Sequence, residues 1–490
     1  MPLNRNKHPA GAGLEMRETY RMEKLTAVIL AAGKGTRMKS KLPKVLHKVG
    51  GKPMVEHVLD AAEAAGCKDN VVVIGHGADR VREVIGSRAR IALQAQQLGT
   101  GHAVLQAAEA LKDFQGTVMI LCGDTPLLEG AELRRFYEEH VKLGAAATVM
   151  TAEMDDPTGY GRILRDEKGE VAAIVEQKDA TEEQRRIREI NTGNYCMEAP
   201  LLFEVLKTLG NDNAQGEYYL TDVLAKLRAM GKKVGGVKTD DSEMTMGVNS
   251  RVHLAQAEAA MRRRTLEQFM NDGVTIMDPA STFIEKTVRI APDTVIYPNT
   301  WLQGNTVIGA DCEIGPDVRM ENVQVGDRCH LQFLYGHDCQ VLDDVTAGPY
   351  VHLRPDTVIG NHVKIGNFVE VKNSNIGTGT KLPHLQYIGD SDIGSNVNMG
   401  CGCITVNYDS KFKHRTVIGD NAFVGCNSNL VAPVTVGPDT YIAAGSTITK
   451  EVPANALGVA RARQTNIAGW AKSYKEKLER KAEALKKEGK

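Results

Sequence analysis

After about residue 284 an aliphatic side chain returns at every sixth position. Ile290, Ile296, Leu302, Ile308, Ile314 and Met320 form one run; Val341, Ala347, Leu353, Ile359, Ile365 and Val371 form a second; Ile418, Val424, Leu430, Val436, Ile442 and Ile448 form a third. The residue four places on is small or β-branched in most repeats, as at Thr294, Val318 and Val363. A repeat of six predicts a left-handed parallel β-helix, in which three short strands make a triangular coil of about 18 residues and the aliphatic positions point inward. Breaks in the period at 382–387 and 404–417 predict loops leaving the coil, and loops on a rigid scaffold are where function concentrates.

The first half has a different rhythm. LTAVILAA (25–32), NVVVIGH (70–76) and TVMILCGD (117–124) read as strands. PMVEHVLDAAEAAG (53–66), with apolar residues at 54, 55, 58, 59, 62 and 65, and GHAVLQAAEALKDF (101–114) read as helices. This alternation predicts an α/β, Rossmann-like domain with a mostly parallel sheet and its ligands at the carboxyl ends of the strands. The segment 251–273 has helical periodicity and ends in Asn-Asp-Gly, a stop signal. The expected organisation is an extension over 1–22, read either as a disordered tail or as a mis-called start with Met22 the true beginning, then the α/β domain over 23–250, a linker helix over 251–273, the β-helix over 274–463, and a charged, solvated tail over 464–490.

Composition excludes some functions. Charged residues make up 25% and the formal net charge is −1, so no global basic field favours nucleic acid or an anionic membrane. No apolar run approaches the roughly 18 residues that span a bilayer. The first 21 residues lack the apolar region of a secretory signal. Nine cysteines without paired spacing fit a reducing cytoplasm. Cys401-x-Cys403 has no second pair and reads as packed side chains, not as a zinc site.

The stretch VILAAGKGTRMKSKLPK (28–44) places a glycine-rich turn after a strand. It lacks the spacing of a Walker A loop, and Met38 stands where a dinucleotide fingerprint needs its third glycine. Glycines there let backbone N–H groups approach a phosphate, and Arg37 and Lys44 supply neutralising charge. A generic turn followed by a solvated basic run fits the same residues equally well.

The turn resembles the signature of sugar-nucleotide pyrophosphorylases. QLGTGHA (97–103), CGDTPL (122–127), GYGRI (159–163), IVEQKDA (174–180), EINTGNY (189–195) and GVNSR (247–251) resemble it in order. Together with the hexapeptide half, the chain from about 24 to 470 resembles the bifunctional bacterial N-acetylglucosamine-1-phosphate uridylyltransferase/glucosamine-1-phosphate acetyltransferase family. The resemblance implies uridylyl transfer from UTP to N-acetylglucosamine 1-phosphate, with Arg37 and Lys44 at the phosphates. Asp124 and Asn249 would hold Mg²⁺. Leu30, Ala31, Gly33, Gln94, Gly99 and Thr100 would frame the uracil and ribose; Gly161, Glu176, Asn191 and Asn249 would hold the amino sugar. Cys122 departs from the tyrosine of some members, a change not expected to alter the chemistry.

For acetyl transfer from acetyl-CoA to glucosamine 1-phosphate, the resemblance implies His384 as general base, with Glu370 in a position to orient it. Arg354, Lys372 and Tyr387 would bind the sugar phosphate, Asn398 the sugar, and Asn407, Tyr408 and Lys413 would close over the substrates. Acetyl-CoA would be held by Asn407 and Tyr408 and would run past Cys401, Cys426 and Ala444 to Arg461. Cys426 replaces a serine of some members, and Pro383 before the histidine is atypical. The family also implies a homotrimer in which neighbouring chains share each acetyl-transfer site. The competing readings are a single-activity nucleotidylyltransferase with the β-helix as a trimerisation module, and a catalytically silent subunit built from the same folds. His384, Asn407, Tyr408 and Arg461 argue against the first; the glycine-rich turn with Asp124 and Asn249 argues against the second.

Overall fold

A computed structural model describes residues 25–487 of the chain; the expected extension over 1–22 lies outside the described residues. Two compact units are present. One comprises the chain through Gln268 together with Ile284–Lys286, the other Phe269–Phe283 and the chain from Thr287 on.

In the first unit the strand Leu25–Ala31 lies between Val71–Ile74 and Thr117–Cys122 and is parallel to both, with Leu30 aligned to Val73 on one side and Cys122 on the other. Arg90–Leu93 extends the parallel set beyond Val71–Ile74. Glu189–Glu198 enters antiparallel between Thr117–Cys122 and Ala147–Glu153, and Val234–Lys238 closes that edge in parallel. The sheet is thus mostly parallel with an antiparallel insertion. Val71 to Ile74 are fully buried, as strands covered on both faces require.

The helix Met54–Ala64 buries the anticipated stripe of Met54, Val55, Val58, Leu59 and Ala62. The helix expected over 101–114 is α-helical only over Thr100–Leu105. Beyond it the backbone tightens into three-residue turns, with Ala107 N donating to Val104 O at 3.0 Å and Ala108 N to Leu105 O at 3.1 Å. These turns still place Ala107 and Leu111 in the core, so the apolar spacing holds while the hydrogen-bond pattern departs from a regular helix. The segment 251–273 forms one helix, Arg251–Asn271.

The second unit is a parallel β-helix. Every position of the three aliphatic runs is buried except Ile290, which is half-buried. Successive coils align Ile296 with Ile314, Val341 with Ile359 and Val424 with Ile442, each 18 residues apart. Buried threonines of the coil other than Thr416 are satisfied locally: Thr294 Oγ1, for example, donates to Gly309 O at 2.8 Å and accepts from Cys312 N at 3.1 Å. Most corners carry Asp or Asn in the left-handed conformation, which these residues tolerate. One corner instead stacks Phe333, Tyr350, Phe368 and Leu385, with φ of 45°, 61°, 58° and 50°.

Two expected loop positions need revision. Lys381–Gly389 is one continuous strand, paired along its length with Lys364–Lys372, so no loop leaves at 382–387. The aliphatic period lapses there because Gln386 takes an inward place, its amide donating to Met399 O at 2.7 Å and Gly400 O at 2.9 Å. In the second break Ile404–Val406 is still strand, and the chain re-enters the coil at Thr416–Ile418. Only 407–415 projects, and the register accordingly jumps to 25 residues between Met399 and Val424. The charged tail carries an exposed helix, Trp470–Lys487.

Candidate active sites

The glycine-rich turn forms where Leu25–Ala31 ends. Gly35 adopts φ of 58°, and a Cβ there would meet Lys44 Cβ at 2.7 Å, so glycine lets the turn fold back onto the Lys-Leu-Pro-Lys segment. Lys44 Nζ donates to Asp124 and, at 3.1 Å, to Asn249 Oδ1. Val248 N donates to Asp124 O at 2.8 Å, which clamps the GVNSR segment to the end of Thr117–Cys122. A carboxylate and an amide oxygen thus converge on one positive charge. That donor set suits a hard divalent cation, with the remaining positions left for phosphate or water oxygens.

Beside this cluster opens a 250 Å³ cavity whose lining includes Arg37, Asp124, Gly161, Glu176, Asn191 and Asn249. Burial raises the Glu176 carboxyl above its usual range, reinforced by Asp179, Asp222 and Glu217. Asn191 Oδ1 accepts from Gly193 N at 2.9 Å, which fixes the amide within a strand irregularity at the cavity wall. Gly161 packs against Ile174, where a Cβ would lie 3.1 Å from Cγ2. Cys122 also lines the cavity, and burial pushes its thiol up to about 12.

Leu30, Ala31 and Gly33 lie on the strand and turn leading into this cluster. Gln94, Gly99 and Thr100 form a group of their own past Arg90–Leu93. Gln94 Nε2 donates to Gly99 O at 3.1 Å and lies 3.0 Å from His102 Nδ1; Thr100 Oγ1 accepts from Leu220 N at 3.1 Å. Tyr160 and His253 line the cavity without having been singled out, although Tyr160 sits inside GYGRI.

In the β-helix, the ladder aligns Asn367 with His384. The ladder registers of the following coils carry the same corner through Cys401, Cys426 and Ala444. Arg461 Nη1 donates to Ala444 O at 2.9 Å. His384 and the expected acetyl-CoA residues at this corner therefore form a single column. His384 Nδ1 lies 2.5 Å from Asn367 Oδ1. Glu370, expected to orient the imidazole, instead aligns with Tyr387 and accepts from Arg354 Nη1 at 2.8 Å.

Arg354, Lys372 and Tyr387 occupy the adjoining face, with Lys372 aligned to Gly389 at its far edge. Asn398 lies on the other side of the corner, aligned with Lys381. The projecting segment is a small hairpin bridged between Tyr408 and Lys413, with Lys413 Nζ 4.4 Å from the Tyr408 ring centroid. Asn407 is buried at its base, donating to Asp390 and, at 3.3 Å, to Tyr387 Oη. Asp390 also accepts from Asn373 Nδ2 at 2.5 Å and so anchors the hairpin. Asp390 was not foreseen, although it ends the HLQYIGD segment that supplies His384 and Tyr387. Pro383 stays within the strand, opposite Gly366.

Comparison with known proteins matches residues 26–258 to the nucleotidyl transferase family, and 338–373 and 415–450 to the bacterial transferase hexapeptide family. The chain is 54% identical over 450 residues to the bifunctional protein GlmU of Brevibacillus brevis, covering 92% of this chain and 98% of that protein. It is 55% identical over 449 residues to GlmU of Caldanaerobacter subterraneus, again covering 92% and 98%. GlmU of Listeria monocytogenes is 52% identical over 451 residues, covering 92% and 99%. With both halves matched at this identity over nearly its full length, the chain belongs to the bifunctional GlmU family.

Proposed function

We propose that the cavity beside the glycine-rich turn performs the uridylyl transfer of this bifunctional enzyme and that the corner column of the β-helix performs its acetyl transfer. The enzyme acetylates glucosamine 1-phosphate from acetyl-CoA. It then joins N-acetylglucosamine 1-phosphate to UTP, releasing pyrophosphate and UDP-N-acetylglucosamine for cell-wall synthesis. The observation that carries the first assignment is the convergence of Asp124 and Asn249 on Lys44 at the mouth of the cavity.

For uridylyl transfer, the sugar-phosphate oxygen attacks the α-phosphorus of UTP and pyrophosphate departs. Two anions meet, so the chain contributes mainly alignment and charge neutralisation. Arg37 and Lys44 neutralise phosphate oxygens, while Glu176, Asn191 and the Gly161 backbone grip the amino sugar. Gln94, Gly99 and Thr100 hold the base and ribose. Mg²⁺ on Asp124 and Asn249 would supply Lewis-acid stabilisation of phosphate charge when bound.

For acetyl transfer, His384 Nε2 accepts the proton that the sugar amine loses as its nitrogen bonds to the thioester carbonyl carbon. The C–S bond then breaks, and the proton held on Nε2 passes to the departing sulfur, so the coenzyme leaves as its thiol and His384 returns to its neutral form. Cys401, Cys426, Ala444 and Arg461 mark the coenzyme's path along the corner. Asn398 and Lys413 bind the sugar phosphate, and Asn407 and Tyr408 of the hairpin close over the coenzyme.

The phosphate-binding pair Arg354 and Lys372 lies at the far edge of the face, with Lys372 aligned to Gly389, past the corner that Leu385 makes after His384. A hexosamine phosphate carries its amine and phosphate on neighbouring carbons. A homotrimer answers this separation by bringing one copy's corner column against the next copy's face. The exposed stack of Tyr350, Phe368 and Leu385, with Tyr350 and Phe368 ring centroids 5.2 Å apart, offers an apolar seam for that contact. The free thiols fit a cytoplasmic setting.

The test supplies glucosamine 1-phosphate, acetyl-CoA, UTP and Mg²⁺ and omits one component at a time, with products followed by mass spectrometry. N-acetylglucosamine 1-phosphate is expected to accumulate without UTP. For the shared site, His384→Ala and Lys372→Ala chains are assembled together. Each is expected to be inactive alone and their mixture to regain acetyl transfer; light scattering at a monomer mass would overturn the trimer.

A further inference from the structure

We infer that Asn367 is the positioning residue of the acetyl-transfer base: its side-chain oxygen holds the His384 ring by Nδ1–H and leaves Nε2 with a free lone pair. The inference rests on the reading of His384 as that base.

Two independent features of the coil put Asn367 there. The first is register. Lys364–Lys372 and Lys381–Gly389 pair without slippage, so Asn367 and His384 are direct ladder neighbours. Each is followed by a bulky residue in the left-handed conformation, Phe368 and Leu385, with φ of 58° and 50°. The two backbones therefore turn the corner in the same way and carry their side chains out side by side.

The second feature is the contact. Asn367 Oδ1 lies 2.5 Å from His384 Nδ1, a short separation for a hydrogen bond. An amide oxygen only accepts, so the ring must carry its proton on Nδ1. The other nitrogen is then the basic one, as a proton-accepting imidazole requires. The contact also limits ring rotation on an otherwise exposed side chain.

Among the described residues, the two carboxylates nearest in register are engaged elsewhere. Glu370 lies on the next face and is engaged with Arg354. Asp390 is engaged with Asn373 and Asn407. The base is thus oriented by a neutral acceptor, not by the acid of a charged dyad.

The test compares His384→Ala, Asn367→Leu and Asn367→Asp in the full-length protein, with thermal unfolding as the control for folding. Asn367→Leu is expected to lower kcat for acetyl transfer by about 10- to 100-fold while both KM values change by less than about twofold. Asn367→Asp, which keeps an acceptor, is expected to restore most of kcat. Solid-state NMR of histidine-labelled protein, with His384 assigned through its alanine variant, should show the Nδ1–H tautomer in the wild type and a mixture in Asn367→Leu.

If His384→Ala is inactive while Asn367→Leu keeps its kcat, or if wild-type His384 carries its proton on Nε2, the inference is overturned and the base remains. If His384→Ala retains acetyl transfer, the reading on which the inference rests fails first.

Discussion

Lys44 Nζ lies 3.1 Å from Asn249 Oδ1 across 205 residues of chain, and the same ammonium donates to Asp124. Removing Asp124 takes away the carboxylate of this triad and one of the two oxygens that suit a cation. Asp124→Ala is expected to lower uridylyl transfer by about 10²- to 10³-fold and to leave acetyl transfer near normal, both measured on one preparation. Loss of both activities in a folded variant would contradict the division of labour between the two units.

Asp390 ties the base of the 407–415 hairpin to the coil by accepting from Asn373 and Asn407. Asp390→Ala strands two amide donors, at a cost of about 1–3 kcal/mol each where they stay buried. The expected result is a raised KM for acetyl-CoA and a lower melting temperature, both smaller in Asp390→Asn, which keeps an acceptor. Steady-state kinetics and calorimetry check the pair.

A Cβ on Gly366 would lie 1.9 Å from the carbonyl oxygen of Pro383. Gly366→Ala must therefore push two coils apart beside His384, an overpacking cost on the order of 3 kcal/mol. Acetyl transfer should fall together with stability. Adding Pro383→Ala should not rescue the variant, because the obstructing atom is backbone.

His140 is buried, with Nδ1 2.8 Å from Thr148 Oγ1, and burial lowers its pKa to about 4 from 6.5. The unfolded chain therefore takes up this proton first. The stability linked to neutral His140 is fully present above pH 6.5 and is lost as pH falls through about 4, on the order of 3 kcal/mol in all. Hydrogen exchange of the Ala147–Glu153 amides should quicken over that range, and less so in His140→Gln.

Where the sequence misled, each error has a local cause. At 382–387 the lost period reflected Gln386 pointing inward with its amide hydrogen-bonded, and a polar residue at an inward position looks the same in sequence as a loop. Over 101–114 the apolar spacing matched a helix, yet three-residue turns bury Ala107 and Leu111 just as well. Glu370 was the natural candidate to orient His384 because a carboxylate was at hand in the preceding coil. The corner at Phe368 nevertheless carries it onto the next face, where Arg354 engages it.

The period of six and the strand–helix alternation specify both architectures without coordinates, because inward-facing positions must be apolar wherever a repeating backbone buries them. The motifs around Gly33, Asp124 and Asn249 likewise mark a phosphate chemistry. Only the tertiary structure decided which side chains meet. Lys44 reaches Asn249 because separate strands end at the same edge of one sheet, and His384 meets Asn367 because one coil stacks on the next at a spacing of 17 residues. Such meetings depend on register, which varies between 16 and 18 residues from coil to coil and jumps to 25 at the hairpin; the break at 404–417 marks that jump in the sequence, but the smaller shifts are set by corner geometry, which the residue pattern alone does not encode.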